Sequence, residues 1–480
     1  MDSILNVVVL SRMQFALTAI FHILWPILTT GMAIYLVVVE GLWLKTRNVD
    51  YYRHARFWSK LYVLNFSIGV ATGIPMEFQF GSNWAPLSES IGDFFGSILG
   101  FEATMAFMLE AGFLGIMLFG WERVHPVIHY LATIMVAFGA NLSTFWILTA
   151  NSWMQTPAGG QFVDGKFVVI DYFQAIQSPF MVTSFFHMFF ATLETSMFVI
   201  GGISAWYILS DRHSAFFAKS LKIVLAGAIA ITPLQIYVGD ESAKQVYHYQ
   251  PTKLAAMEAQ WETIPAGESA DWSIVAWPNG RAEKNDWDIK APNGLSYLLE
   301  FKPTLSEPVQ GLKEWPPENR PRMVSLIYYS FRIMSGIGFF FAGLMLWSVL
   351  QWLRGKLSSD TIAQQRWLMR GWILAAPLGY IAVEAGWIVR CVGRQPWAVY
   401  GEIRTVDAAS NLPIGSVLTS LLGFSAIYTL LFVSALYFGS RIIRQGPNLE
   451  LEPPGLDRPP ALETSPAEHT PDQRPLEAQQ

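Results

Sequence analysis

Nine stretches of this chain are apolar over lengths that suit a bilayer, and a chain laid through lipid has little freedom in how it folds. No water is present there to satisfy backbone N–H and C=O groups, so each crossing segment must close its own hydrogen bonds as a helix. Covering a hydrocarbon core takes about 20 residues. Windows of that kind fall at 14–44, 57–80, 94–120, 126–150, 180–209, 216–238, 324–352, 367–390 and 414–440. The composition agrees, with 52% of 480 residues hydrophobic, 14% charged and a mean hydropathy of +0.32. The expected class is an all-α polytopic membrane protein. A net charge of -5, scattered over loops without a basic stripe, argues against nucleic acid as a partner. The single cysteine, Cys391, excludes an intramolecular disulfide and any CxxC motif. The N-terminus lacks a basic n-region and a small-residue cleavage site, so the first helix is expected to stay in the mature protein.

Nine crossings place the termini on opposite sides, and Lys and Arg collect on the cytoplasmic one. The first loop carries Lys45, Arg47, Arg53 and Arg56, the fifth Arg212 and Lys219, the seventh Arg354 and Lys356, and the tail opens with Arg441 and Arg444. These loops and the C-terminus are expected inside and the N-terminus outside. The second loop, 81–93, has Glu89 and Asp93 and no Lys or Arg, and the fourth, 151–179, has only Lys166. The eighth loop breaks the trend with Arg394 and Arg404, which points to a task other than topology, such as neutralising acidic groups of a cofactor. The expected organisation is 1–238 for spans one to six, 239–323 for a large outer loop, 324–440 for spans seven to nine and 441–480 for a cytoplasmic tail. Beyond about residue 445 that tail is Pro-rich, polar and aperiodic, and is expected to be disordered.

Metal-ligand side chains stand inside these apolar runs: His22 in FALTAIFHILWPIL, His187 in MVTSFFHMFFATLE and Met334 in FRIMSGIGFFFAGLMLW. Counted from the outside, all three lie in the outer half of the membrane. A buried imidazole needs a partner, and porphyrin iron suits both imidazole and thioether. A His and a Met from different helices make a six-coordinate, low-spin haem site, whereas His22 alone suits a second iron with an open position. Taken singly, each His also reads as a hydrogen-bonded core residue and Met334 as filler; their shared depth favours the ligand reading. His54, His125, His129, His213, His248 and His469 fall at loops, helix ends or the tail and read for the most part as surface residues.

The third span, FEATMAFMLEAGFLGIMLFGW, holds Glu102 and Glu110 along one broad face of a helix. Intramembrane carboxylates are costly, and proton relay is a common use for them. Glu122 and His129 flank the inner end of the same hairpin and Ser143 lies further along the fourth span, so a proton would enter from the cytoplasm there and climb towards Glu110 and Glu102. In the outer loop stand GDES at 239–242 and KLAAMEAQWET at 253–263. Lys253 and Glu258 read first as an exposed pair on a short helix, and alternatively as a site that binds a quinol headgroup and takes its proton. Arg12 in SRMQF, Arg332 in FRIM and Arg394 in GRQPW are placed either to neutralise haem propionates or to snorkel.

Together SRMQFALTAIFH, FEATMAFMLE, NLSTFWILTANSWMQTP, GDES, KLAAME, FRIM and GRQPW resemble subunit I of the cytochrome bd-type quinol oxidases over nearly all of residues 5–440. The loop ahead of Met334 is similar to the short form found in members that include the cyanide-insensitive oxidases. The resemblance implies two four-helix bundles plus one peripheral helix, in a bacterial cytoplasmic membrane, and three haems near the outer face. His187 and Met334 would ligate a low-spin haem b, and His22 one of two high-spin haems, a haem b and a haem d or third haem b. Glu102 and Glu110 would serve the high-spin site and its protons. Arg12, Arg332, Arg394 and Trp387 would lie near haem edges, and Lys253 and Glu258, with Asp240 of GDES, at the quinol site. A second multispan subunit is implied, with a single-span peptide as an optional third, and ubiquinol or menaquinol, O2 and membrane lipid as ligands.

One departure stands out. Members of that family generally carry a glutamate haem ligand three positions before the GRQPW arginine, where this chain has Cys391. A thiolate at Cys391, Glu102 or another group, or no strong protein ligand are the open assignments for that iron. The expected activity is quinol oxidation at the outer face and O2 reduction to water with cytoplasmic protons, building a gradient without a pump. The competing readings are a proton-coupled transporter, for which no inverted repeat is found, and a haem-b electron-transfer anchor, which leaves His22, Glu102 and Glu110 without a task.

Overall fold

The computed structural model describes residues 6–358 and 360–454. Among them nine helices are long and apolar enough to cross a membrane: α1 (Val7–Thr46), α2 (Val49–Gly81), α3 (Ala85–Phe119), α4 (Pro126–Gln155), α5 (Met181–Leu209), α6 (Ser214–Tyr249), α7 (Val324–Leu353), α8 (Arg366–Val392) and α9 (Ile414–Gln445). Several outrun their hydropathy windows, because hydropathy registers lipid contact while a helix continues into water wherever its ends are capped. Asn6 caps α1 through Val8 N–H at 2.8 Å, and Asn48 caps α2 through Asp50 N–H at 2.9 Å. Glu89 and Asp93, expected in a loop, therefore lie on α3. The GDES segment, also expected in a loop, lies on α6.

Helix contacts form two rings. In the first, α1 packs on α2 and α4, and α3 on α4 and α2; in the second, α5 packs on α6 and α8, and α7 on α8 and α6. Contacts of α1 with α5 join the rings, and α9 lies outside against α1 and α2. Gly31 permits that junction, since a Cβ there would stand 2.3 Å from the Thr192 carbonyl oxygen on α5. Tyr428 holds α9 by stacking on Phe21 at 4.6 Å and donating to the Thr72 carbonyl at 3.2 Å.

The long connections share one face of the bundle. The largest contains the short helix Pro251–Glu258 and an antiparallel hairpin, Trp272–Asn279 with Lys284–Ala291, in which Val275 faces Ile289. Ser325, Tyr328 and Tyr329 of α7 donate to the Pro278, Ser273 and Ala276 carbonyls and seat this hairpin on the helix end. At the opposite face the chain stays packed past its expected limit near 445: Gly446 and Pro447 are buried, and Arg53 Nε donates to the Leu451 carbonyl at 3.0 Å. The rest of the tail, with His469, lies outside the described residues.

Candidate functional site

Each expected metal ligand stands beside a glycine on a neighbouring helix. A Cβ at Gly73 of α2 would lie 3.0 Å from His22 Cε1, one at Gly239 of α6 3.3 Å from His187 Cε1, and one at Gly386 of α8 2.9 Å from Met334 Sδ. The rings and the thioether thus sit where a neighbouring backbone leaves room for a bulky group. His22 Nδ1 lies 3.1 Å from Thr72 Oγ1, whose hydrogen is directed to the Ile68 carbonyl at 2.9 Å. The threonine oxygen then accepts from Nδ1–H, which leaves Nε2 with a free lone pair for a metal. His187 Nδ1 is buried with no hydrogen-bond partner among the described residues. Trp387 packs with Ile27, Ala191 and Val383, with Ile23 and Met188 alongside, at the junction of the helices that carry the two histidines.

At the loop-bearing face three basic side chains converge with neutral partners among the described residues. Lys253, on the short helix Pro251–Glu258, is 2% exposed, donates to Gln155 Oε1 at 2.6 Å, and lies where a Cβ on Gly393 would stand 2.9 Å from its Cγ. Burial, reinforced by the Arg390 and Arg394 charges, pushes its ammonium well below the usual lysine range. Arg390 donates to Asn151, Ser184 and Ser152. Arg394 is 7% exposed, and its Nε and Nη1 have no partner among the described residues. Cys391 is half-buried beside them. Such a cluster calls for acidic groups from outside the protein, and the carboxylates of a haem fit it.

The expected exposed Lys253–Glu258 pair does not form, because tertiary contacts bury both and pull them apart. Glu258 accepts from Arg332 Nη2 at 2.6 Å, and Arg332 also donates to the Ser273 carbonyl at 2.8 Å and stacks over Trp272 and Tyr328. Arg332 is therefore already neutralised. Arg12 is exposed near the start of α1. Asp240 pairs with Lys244 at 2.7 Å. Arg404, grouped by sequence with Arg394, instead donates to the Glu318 carbonyl at 3.2 Å and lies over Trp397.

On the other side of the bundle, Glu102 accepts from Ser143 at 2.7 Å and Glu110 from Tyr62 at 3.2 Å. Glu110 Cβ is 3.0 Å from the position of a Cβ on Gly139. Gly139 and Ser143 are four apart on α4, so both acids face one side of that helix. Glu102 opens a π-helical stretch, Glu102–Phe107, inside α3. Towards the far face the buried His129 is not a surface residue and does not meet Glu122, which is exposed. Its Nδ1 lies 2.6 Å from Glu40 Oε1 and its Nε2 2.9 Å from the Met117 carbonyl, while Thr133 donates to Glu40 at 2.7 Å. Both ring nitrogens of His129 thus lie within hydrogen-bond reach of oxygens, one of them a buried carboxylate. His54 is likewise buried, between the Asp50 and Phe216 carbonyls.

Sequence reasoning missed Glu40, Glu194 and Glu384, each an acid inside an apolar run and so readable by the signal that found Glu102. Both Glu384 carboxylate oxygens are buried without a partner among the described residues.

The model of the family described as cytochrome bd terminal oxidase subunit I matches residues 10–447. The chain is 36% identical to cytochrome bd-II ubiquinol oxidase subunit 1 of Escherichia coli (strain K12), over 92% of this chain and 97% of that relative. It is 35% identical to cytochrome bd ubiquinol oxidase subunit 1 of Bacillus subtilis (strain 168), over 91% and 94%. The solved bd oxidase of Geobacillus thermodenitrificans superposes with a TM-score of 0.83 at 30% identity, covering 92% of this chain and 99% of that one.

Proposed function

Because the chain belongs to the cytochrome bd terminal oxidase subunit I family, we propose that its buried His, Met and Arg side chains hold the haems through which a terminal quinol oxidase works. It is a membrane oxidoreductase subunit that carries haem, acts on quinol and O2, and pairs with a second oxidase subunit. In our reading His187 and Met334 would hold a low-spin haem b and His22, oriented by Thr72, a high-spin haem b, with a haem d or third haem b as the remaining group. The observation that carries this reading is the pair of guanidiniums beside Cys391, Arg394 buried and Arg390 half-buried, which have only neutral partners among the described residues and which haem propionates would neutralise. Arg394 is the arginine assigned to them, since Arg332 is committed to Glu258. The haems supply electron transfer and the binding and reduction of O2.

The remaining steps belong to the chain's own residues. Lys253, whose ammonium form burial disfavours, accepts a proton from a quinol hydroxyl, and the Glu258–Arg332 pair orients the headgroup. Asp240, paired with Lys244, lies at the rim of that site. We assign the loop-bearing face to the outside, as the Lys and Arg distribution favours, so that quinol protons leave there. Protons for water enter from the opposite face at the Glu122 end, load on the His129–Glu40 pair, and pass along α4 to Glu110 and then Glu102. From His129 to Ser143 is about 21 Å of helix. A single-span third subunit remains part of the proposed assembly.

The test is a reduced-minus-oxidised and a carbon monoxide difference spectrum of the purified complex with pyridine-haemochrome quantification. Several haems with a CO-binding high-spin centre are expected, and His187→Ala and Met334→Ala should each abolish the low-spin signal. A single low-spin haem without CO response would leave the electron-transfer anchor as the better account.

A further inference from the structure

Glu194 is a membrane-embedded acid that the chemistry above leaves unused. It lies on α5 seven residues after His187, close to two full turns, so both side chains share a face about 10.5 Å apart along the axis. It is 5% exposed, and its one hydrogen-bond partner among the described residues is the neutral Thr232 Oγ1 of α6, at 2.7 Å. An ionised carboxylate there has no counter-ion in contact, so the group is poised to respond to a change of charge nearby. Its neighbours Leu193 and Ser196 line a cavity of about 570 Å³ between α1, α5 and α6, whose wall includes Tyr35 and which reaches Lys219 and Lys222.

We propose that Glu194 binds one proton when the site held by His187 gains one electron, and releases it when the electron moves on. The step balances: the electron adds one negative charge, and conversion of the carboxylate to the acid adds one proton, with no bond to carbon made or broken. The proposal rests on His187 being the low-spin ligand. Tyr35 of α1 is in the cavity wall, and Lys222 of α6 is ten residues below Thr232. On α8, Gly379 meets Thr195 and Val383 packs with Ala191, so Glu384 stands between Glu194 and His187 in depth and is the competing acid that Glu384→Gln tests; His129 of α4 is bound to Glu40. Two unit charges about 10 Å apart at an effective dielectric constant near 20 change proton affinity on the order of tenfold.

The experiment uses the assembled oxidase with Glu194→Gln, Glu194→Asp and Glu384→Gln, each first checked for unchanged haem content. The midpoint potential of the low-spin haem is measured against pH, together with the redox-difference infrared signal of protonated carboxyl groups. The parent is expected to lose potential as pH rises, by a total near the one-electron equivalent of a tenfold coupling, about 59 mV. Glu194→Gln should remove that dependence and one infrared band, and Glu194→Asp should keep both. The same pH dependence and band in Glu194→Gln as in the parent, or their loss only in Glu384→Gln, would overturn the proposal. His187→Ala tests the ligand reading separately through the low-spin spectrum.

Discussion

Arg394 is the residue whose surroundings say most about what is missing from a bare polypeptide. A guanidinium 7% exposed with two nitrogens unpartnered does not persist unless an anion arrives, and replacing it shows whether one does. Arg394→Gln should lower haem retention in the purified complex, read by pyridine haemochrome, while the same change at Arg404, bound to backbone and stacked on Trp397, should leave it unchanged. Lys253 gives a pH prediction. Burial and the Arg390 and Arg394 charges disfavour its cation, so the neutral, proton-accepting amine prevails above the lowered pKa and is lost as pH falls through it. Quinol kcat/KM should therefore decline on the acid side, and Lys253→Gln should show reduced activity without that acid limb. Glu110→Gln should keep the haem spectrum yet slow turnover by roughly a hundredfold or more, the usual scale for a lost proton-transfer group. Full turnover in that variant would remove Glu110 from the proton path.

At the scale of elements, the π-helical turn in α3 and the crossing of α1 on α5 do the positioning. Deleting Ala103 should convert Glu102–Phe107 to regular α-helix and rotate Glu102 relative to Glu110 by about 100°, away from Ser143. The expected outcome is loss of turnover with the low-spin spectrum, built on α5 and α7, preserved. The crossing is limited by backbone contact: a Cβ at Gly31 would meet the Thr192 carbonyl and Ser196 Oγ at 2.3 Å. Gly31→Ala should therefore destabilise the detergent-solubilised protein by about 1–3 kcal/mol, the cost of overpacking, seen as a lower thermal midpoint.

For the whole molecule, two rings of helices meeting at α1 and α5 bring Ile23 and Met188, the chain neighbours of His22 and His187, into one cluster with Trp387 of α8. Cofactor and fold are consequently linked. Protein produced under haem limitation should unfold at lower temperature than the loaded complex, by about 1–3 kcal/mol for each buried polar group left unsatisfied, with stability returning when haem is added. Equal stability of the two forms would argue that the cation cluster is satisfied without haem.

Much of this was readable in the chain itself. Lipid forces helices, so apolar length alone located all nine spans. The cost of polar groups in lipid marked His22, His187, Met334, Glu102 and Glu110, and the same rule applied to Glu40, Glu194 and Glu384 would have marked them too. Helix ends were not readable, since caps and water-exposed turns such as GDES carry no hydropathy signal. Partner choice was not readable either. Lys253 and Glu258, five residues apart, diverge to Gln155 and Arg332, and His129 finds Glu40 from 89 positions away. Local spacing fixes which face of a helix a residue occupies, but which charge it meets depends on contacts between helices distant in sequence, and those are set by how the two rings pack.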